Sequence, residues 1–244
     1  MNIEFAISAW AAWAPGLSTP TQWLRWASQP GLPVGDEQPA LGQVPTLLRR
    51  RLGPLGRMAA QAAYDCQPCS GAPVVFASRY GDAARSLALL RGFSIADTMS
   101  PADFALSVHN AIGAVYSIAR RDTGNFSSIA AGPASAGAAV VEAAGLLADG
   151  APEVLVACYD APLPGEYSEF ADEAPATYAW AWRLAPPAAG QPRLSLSCEA
   201  ANDEPAPQTS GLPFGLDVFR FSISPDPVLQ RDCDGTRWRW ARHG

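Results

Sequence analysis

Ser107 and His109 stand two residues apart. On an extended segment that spacing puts both side chains on one side, and a serine beside a histidine could begin acyl transfer or hydrolysis. No acidic residue stands close in sequence to orient the imidazole, and no Gly-x-Ser-x-Gly turn occurs. The stronger expectation is therefore structural: His109 bonds the loop backbone or Asn110, and Asn110 caps a helix beginning at Ala111. Cys66-Gln67-Pro68-Cys69 has the spacing of a redox pair or of half a zinc site. It has no second Cys pair and no nearby histidine, and it follows a helix-like run where a redox pair would open a helix. It reads as two ordinary loop thiols, with no metal and no cofactor expected. Arg49, Arg50, Arg51 and Arg57 form the one basic cluster in an acidic chain. They could steer an acidic partner, or simply be a solvated helix face.

Composition narrows the classes. The chain has 244 residues, 48% of them hydrophobic and 16% charged, which is enough for one large domain with a sizeable core. A net charge of −6 argues against nucleic acid as a partner. All 17 basic residues are arginine, which excludes a lysine nucleophile or Schiff base. Five cysteines and an N-terminus without a basic or apolar leader suggest a cytoplasmic chain without a disulfide framework. No apolar run approaches the ~20 residues of a membrane span.

The elements that must position these residues follow from periodicity. Ile3–Ala9 reads as an edge or first strand. Residues 15–45 read as irregular, with four tryptophans (Trp10, Trp13, Trp23, Trp26) in or beside them that belong either to an interface or to a core. Thr46–Tyr64 has helical spacing broken at Gly53-Pro54, because proline inside a helix loses a hydrogen bond. Val74–Ser78 is a continuous apolar run, as in a strand buried on both faces. Asp82–Gly92 reads as a helix, Ser100–Phe104 as the opening of an extended loop, and Ala111–Arg121 as a helix. Ser127–Ala131 is a short strand. Ser135–Asp149 is a small-residue helix stopped by Gly150. Val154–Cys158 is a buried strand. Tyr178–Leu184 alternates with period two, and Leu194–Cys198, Phe219–Ile223 and Arg237–Trp240 read as further strands. Residues 199–214 read as an acidic, proline-rich surface loop.

The order Asn110, helix, Gly124, Ser127-Ser128-Ile129-Ala130-Ala131-Gly132-Pro133-Ala134-Ser135, small-residue helix, Gly150, buried strand resembles the nucleophile region of a β-ketoacyl synthase. The register runs without a gap from Asn110 to Val156 and puts the nucleophilic cysteine's position on Pro133. Proline has no thiol and no backbone N–H, so it can neither attack a thioester nor donate to an oxyanion. Arg79-Tyr80-Gly81-Asp82, Ser100-Pro101-Ala102-Asp103-Phe104 and Ser107-Val108-His109-Asn110 also resemble the short ketosynthase-like proteins of aryl-polyene and xanthomonadin-type pigment clusters.

The resemblance implies an α/β fold. It would be the N-terminal half of a thiolase-like fold, a mixed sheet with helices on both faces, plus short C-terminal strands. The domain would be single, with residues 1–184 as the thiolase-like half and 185–244 as short strands and proline-rich loop. Neither His109 nor His243 sits in the context of the family's two catalytic histidines. The resemblance therefore implies a subunit without catalysis, like a chain length factor, that pairs with a full-length β-ketoacyl synthase and serves an acyl carrier protein. On that pattern Ser127, Ser128 and Ile129 belong to a pairing strand. Phe104, Leu106, Val108, His109 and Asn110 reach the partner's acyl tunnel, and Arg49, Arg50, Arg51 and Arg57 dock the carrier protein. Two rival readings remain: a small acyl-transfer or hydrolytic enzyme using Ser107 and His109, and a homodimeric acyl- or carrier-binding module.

Overall fold

The computed structural model describes residues 1–96, 98–201 and 210–244. Residues 202–209, inside the expected acidic loop, lie outside the described residues. Eight strands form one mixed sheet: β1 (Asn2–Trp13), β2 (Val74–Ala77), β3 (Phe126–Ile129), β4 (Val154–Asp160), β5 (Tyr178–Ala185), β6 (Arg193–Ala200), β7 (Val228–Cys233) and β8 (Thr236–His243). Their order is β3-β2-β4-β5-β1-β6-β8-β7. The β3-β2-β4 pairings are parallel and all others antiparallel.

The helices are α1 (Pro20–Ser28), α2 (Thr46–Arg49), α3 (Pro54–Asp65), α4 (Ala83–Ala96), α5 (Pro101–Ala105), α6 (Ala111–Arg120), α7 (Ser135–Ala148) and α8 (Phe214–Ile223), with a 3-10 turn at Gly165–Phe170. Strand alternation divides the core between the two faces of the sheet. Val154, Val156 and Cys158 of β4 face α7 and α8 with Tyr178, Trp180, Trp182 and Leu184 of β5. Leu155, Ala157 and Tyr159 face α3 and α6 with Ala179 and Ala181. The large residues of β5 all lie on the first face and the alanines on the second, so α3 packs close while the aromatics fill the wider gap under α8. The helices on both faces and the α/β class agree with the expected architecture.

Several local expectations need correction. β1 is the first strand but no edge: its start pairs with β6 and its remainder with β5. Of the two readings of the tryptophans, the core one holds for Trp13, Trp23 and Trp26, which are buried, with Trp23 edge-on to both Trp26 and Phe219. Residues 101–105 are helical and not extended, because Ser100 caps the turn by accepting from the Asp103 N–H and Pro101 opens it. Phe219–Ile223 is the end of helix α8, not a strand. Phe-Arg-Phe-Ser-Ile alternates over five residues, but Phe214, Val218 and Phe221 share a helical face that buries against β5. Asn110 occupies the N-cap position of α6, yet its side chain makes no capping bond. The small residues of α7 also divide. Gly137 admits the ring of Trp238, and Gly145 meets nothing. Close approach of another backbone therefore explains neither.

Candidate functional site

The family resemblance puts the nucleophile position in the turn from Ala131 into α7. Gly132 adopts φ +54°, a left-handed conformation that glycine accepts without strain. Pro133 follows, and Ala134 caps α7. The turn satisfies its own polar groups. The Ala131 N–H donates to Ser135 Oγ at 3.0 Å, Ser135 Oγ donates to Gly132 O at 2.7 Å, and the Ala134 N–H donates to Ala131 O at 3.1 Å. Residue 133 has no N–H to add. Among the described residues the turn carries no thiol of its own, and its Ala131 and Ala134 N–H groups are already bonded.

The C-terminal β7–β8 hairpin packs onto this turn. A Cβ built on Gly137 would lie 2.6 Å from the Trp238 ring, and one on Gly132 would lie 3.4 Å from Asp234 Oδ2. The Cys233 thiol sits toward the Ala134 N–H, and burial together with Asp234 pushes it up to about 11. At neutral pH it is a protonated thiol and a poor nucleophile. Sequence reading missed this hairpin, although Asp234-Gly235 between β7 and β8 is a strong two-residue hairpin signal.

Ser107 and His109 do not assemble. Ser107 Oγ donates to Phe104 O at 2.8 Å, while His109 Nε2 bonds Ser78 O at 2.8 Å. No hydrogen bond joins the two among the described residues. The ring of His109 packs against Gly81, which has φ +61°, so the imidazole ties the loop before α6 to the end of β2. Cys66 is buried and Cys69 exposed; both are free thiols. Burial pushes Cys66 up to about 12. Among the described residues no group of His, Cys, Asp and Glu could hold a metal ion, and no helix is long and apolar enough to cross a membrane.

Of the four arginines, two are engaged locally. Arg49 donates to Ala40 O and Leu41 O, and Arg57 to Leu52 O. Arg50 and Arg51 are exposed beside Leu47, itself 76% exposed. Strand β3 pairs on one side only, with β2, so Ser127, Ser128 and Ile129 lie at an open sheet edge. The hydroxyls of Ser127 and Ser128 have no hydrogen-bond partner among the described residues.

Helix α4 was expected from Asp82 to Gly92, but its exposed apolar surface is the largest feature that sequence reading passed over. None of its 14 residues is buried. Yet Leu87, Leu89, Leu90, Phe93 and Ile95 spread around all its sides; Leu90 is 52% and Ile95 87% exposed. Between α4 and the start of α5 runs a groove of about 460 Å³, lined by Leu89, Phe93 and Met99 among others. Phe104 and Val108 extend this apolar surface, and Leu106 is half-buried. A helix that is apolar all round normally lies in a protein interior. The run Leu87-Ala88-Leu89-Leu90 was the available signal.

At the ends of β2 and β4, Asp160 Oδ1 accepts from Ser78 Oγ at 2.8 Å and the Arg79 N–H at 2.9 Å; Tyr178 OH donates to Oδ2. Burial outweighs these bonds and pushes the carboxyl up to about 7. The neighbouring cavity, about 60 Å³, has room for a few waters and not for an acyl chain. The folded chain thus holds a proton that the unfolded chain releases near pH 4. This contribution to stability is fully present below about pH 4 and is lost as pH rises through 7. Asp160→Asn keeps an acceptor for the same donors and stays neutral. It should flatten that fall, so that thermal melts show the variant gaining on the native chain by a few kcal/mol between pH 4 and pH 8. Parallel pH profiles for the two would show that the carboxyl titrates normally.

The mixed sheet, its helical layers and the turn into α7 define a thiolase-like ketosynthase fold. A family model for the β-ketoacyl synthase N-terminal domain matches residues 23–241, and the chain belongs to that family. Among solved structures it resembles the complex of the ketosynthase ApeO with its chain length factor ApeC from Xenorhabdus doucetiae. That match has 25% identity and a TM-score of 0.81, covering 98% of this chain and 100% of the matched one. The ishigamide ketosynthase/chain length factor matches at 16% identity and a TM-score of 0.57, over 82% of this chain and 68% of the other. A β-ketoacyl synthase from Burkholderia phymatum STM815 matches at 12% and 0.61, over 84% and 66%. The last two show likeness of fold alone. No curated protein sequence matches the chain.

Proposed function

We propose that this chain is a non-catalytic, chain-length-factor-like subunit. It pairs with a full-length, active β-ketoacyl synthase in the cytoplasm and shapes that enzyme's acyl tunnel during polyene or polyketide pigment synthesis. The observation that carries the reading is Pro133 at the head of α7, in a turn with no thiol of its own and with its Ala131 and Ala134 N–H groups already bonded. Decarboxylative condensation needs a thiolate, a polarised carbonyl and a stabilised carbanion, so the partner must supply all three. The match to a chain of a ketosynthase–chain length factor complex, spanning that chain from end to end, supports the same role.

Two surfaces support the pairing. The open edge of β3, with its unpartnered serines, offers a strand to a partner sheet. The α4–α5 surface offers apolar area that a lone chain would leave in water. Phe104 at 54% and Val108 at 40% exposure are placed to face a partner and not this chain's core. A growing acyl chain gains about 0.8 kcal/mol per buried methylene, so side chains at the end of a shared tunnel set the length at which that gain stops. Arg50 and Arg51 are the arginines available to an acidic carrier protein. On this reading residues 1–244 act as one domain, with 185–244 completing the sheet through β6 and covering the turn into α7.

The test is co-expression with a full-length β-ketoacyl synthase from the same genome, followed by size-exclusion chromatography with mass determination. A 1:1 complex is expected, with this chain aggregating when made alone. A well-behaved chain that ignores every such ketosynthase would overturn the reading in favour of the homodimeric binding module.

A further inference from the structure

We propose that the C-terminal hairpin is a built-in plug over the nucleophile turn, so that acyl transfer is blocked by shape as well as by Pro133. The inference rests on residue 133 being the nucleophile position. It goes beyond that reading because an open pocket with the wrong residue and a filled pocket are different molecules.

Trp238 seats its six-membered ring on Gly137, one turn into α7, where even a methyl group would collide at 2.6 Å. Asp234, at the hairpin tip, reaches Gly132 on the other side of Pro133. Cys233 lies toward the Ala134 N–H between them. Residues 132, 134 and 137 are thus each met by a hairpin side chain. Both Cys233 and Trp238 pack against the aromatic core under α8. The hairpin is fixed there by the β6–β8 ladder, which runs from Arg193↔His243 to Ala200↔Thr236. A thioester has to bring its carbonyl carbon to the side chain of residue 133 with its acyl tail alongside. The hairpin occupies that approach. The pairing surface and the plug are separate parts of the molecule: β3 and α4 stay open, while the hairpin lies against residues 132 and 137 and leaves Pro133 half-buried.

The experiment installs the missing thiol. In Pro133→Cys an N-octyl iodoacetamide probe would alkylate an accessible sulfur with loss of iodide, and peptide mass mapping would separate that thiol from exposed Cys69, the internal reference. With the hairpin intact, the introduced thiol should react at least ~100-fold more slowly than Cys69. Adding Trp238→Ala, or Gly137→Ala to push the ring off α7, should bring the rate to within ~10-fold of Cys69. Either opening variant suffices if the other fails to fold. Reaction of the single variant as fast as Cys69 overturns the plug. So does slow reaction in a folded opening variant. Ketosynthase pairing of Pro133→Cys is read separately by co-expression, so a failure of the functional reading is distinguishable from a failure of this one.

Discussion

Asp217→Ala should lower the stability of the chain by about 3 kcal/mol, in the range found when one member of a buried ion pair is removed. For a domain of this size that is roughly 6–12 °C of melting temperature. Asp217 lies in α8 with its side chain 2% exposed. Its Oδ1 accepts from Arg220 Nε at 3.2 Å and its Oδ2 from Arg231 Nη1 at 3.0 Å. Arg220 also reaches Asp226, and Arg231 reaches Glu173. Glu173 in turn accepts the Phe214 N–H at the start of α8 and pairs with Arg79 after β2. Asp217 is the link that joins the α8 end of this chain of charges to the β2–β4 end. Its loss strands two arginines that are only 12% and 17% exposed. Each keeps one acidic partner, and Arg231 also keeps its bond to Leu212 O, which holds the expected cost to the lower end of the range. A double-mutant cycle with Arg231→Ala should return a coupling of 1–3 kcal/mol, the span usual for neighbours in one network. A melting shift under 2 °C for the single variant would show that the carboxylate is dispensable.

Phe93→Asp should weaken pairing with the ketosynthase on the order of 1000-fold while leaving the isolated chain's melting temperature unchanged. This follows from the proposed pairing together with the state of α4. Phe93 is 43% exposed in the free chain and lines the α4–α5 groove. Covering the part of Phe93 still exposed stabilises a complex by about 1 kcal/mol, under half of what a full side chain gives. An unpaired carboxylate in the same place adds a desolvation cost of several kcal/mol. Together these reach about 4 kcal/mol or more, which is three powers of ten in affinity. The free chain has little to lose, because Phe93 is already 43% exposed and no residue of α4 is fully buried in it. The variant should also be more soluble alone. Binding measured by titration at fixed salt decides the matter. An unchanged affinity would move the interface away from α4 and leave the β3 edge as its main element.

Much of the fold was legible where one periodicity dominates. Val74–Ala77 is buried on both faces and reads as a plain apolar run. Tyr178-Ala179-Trp180-Ala181-Trp182 separates its large and small residues between the two cores. The break at Gly53-Pro54 is where α3 begins. Legibility failed where a short window admitted two periods, as at Phe219–Ile223, or where capping chemistry outweighed a loop-like composition, as at Ser100-Pro101. In the candidate site, Pro133 was visible because the register around it is continuous. The hairpin that covers it was not, since Trp238 reaches Gly137 across about 100 residues of chain and only the folded sheet sets that distance. Likewise nothing in the sequence around Asp160 sets it apart, because its proton affinity comes from burial that only the fold creates.

The seam position of β1 bears on how the chain is made. Of the eight strands it is made first, and its 12 residues join the β5 side of the sheet to the β6 side. Trp13 waits for Ala179 and Asn2 for Ser197. At about 5–20 residues per second of synthesis, that wait is on the order of 10–40 s. Throughout it an apolar strand carrying Phe5, Trp10 and Trp13 has no sheet to join. The nascent chain is thus a natural client for a holdase chaperone, and yield should depend more on chaperone supply and translation rate than on the stability of the finished fold.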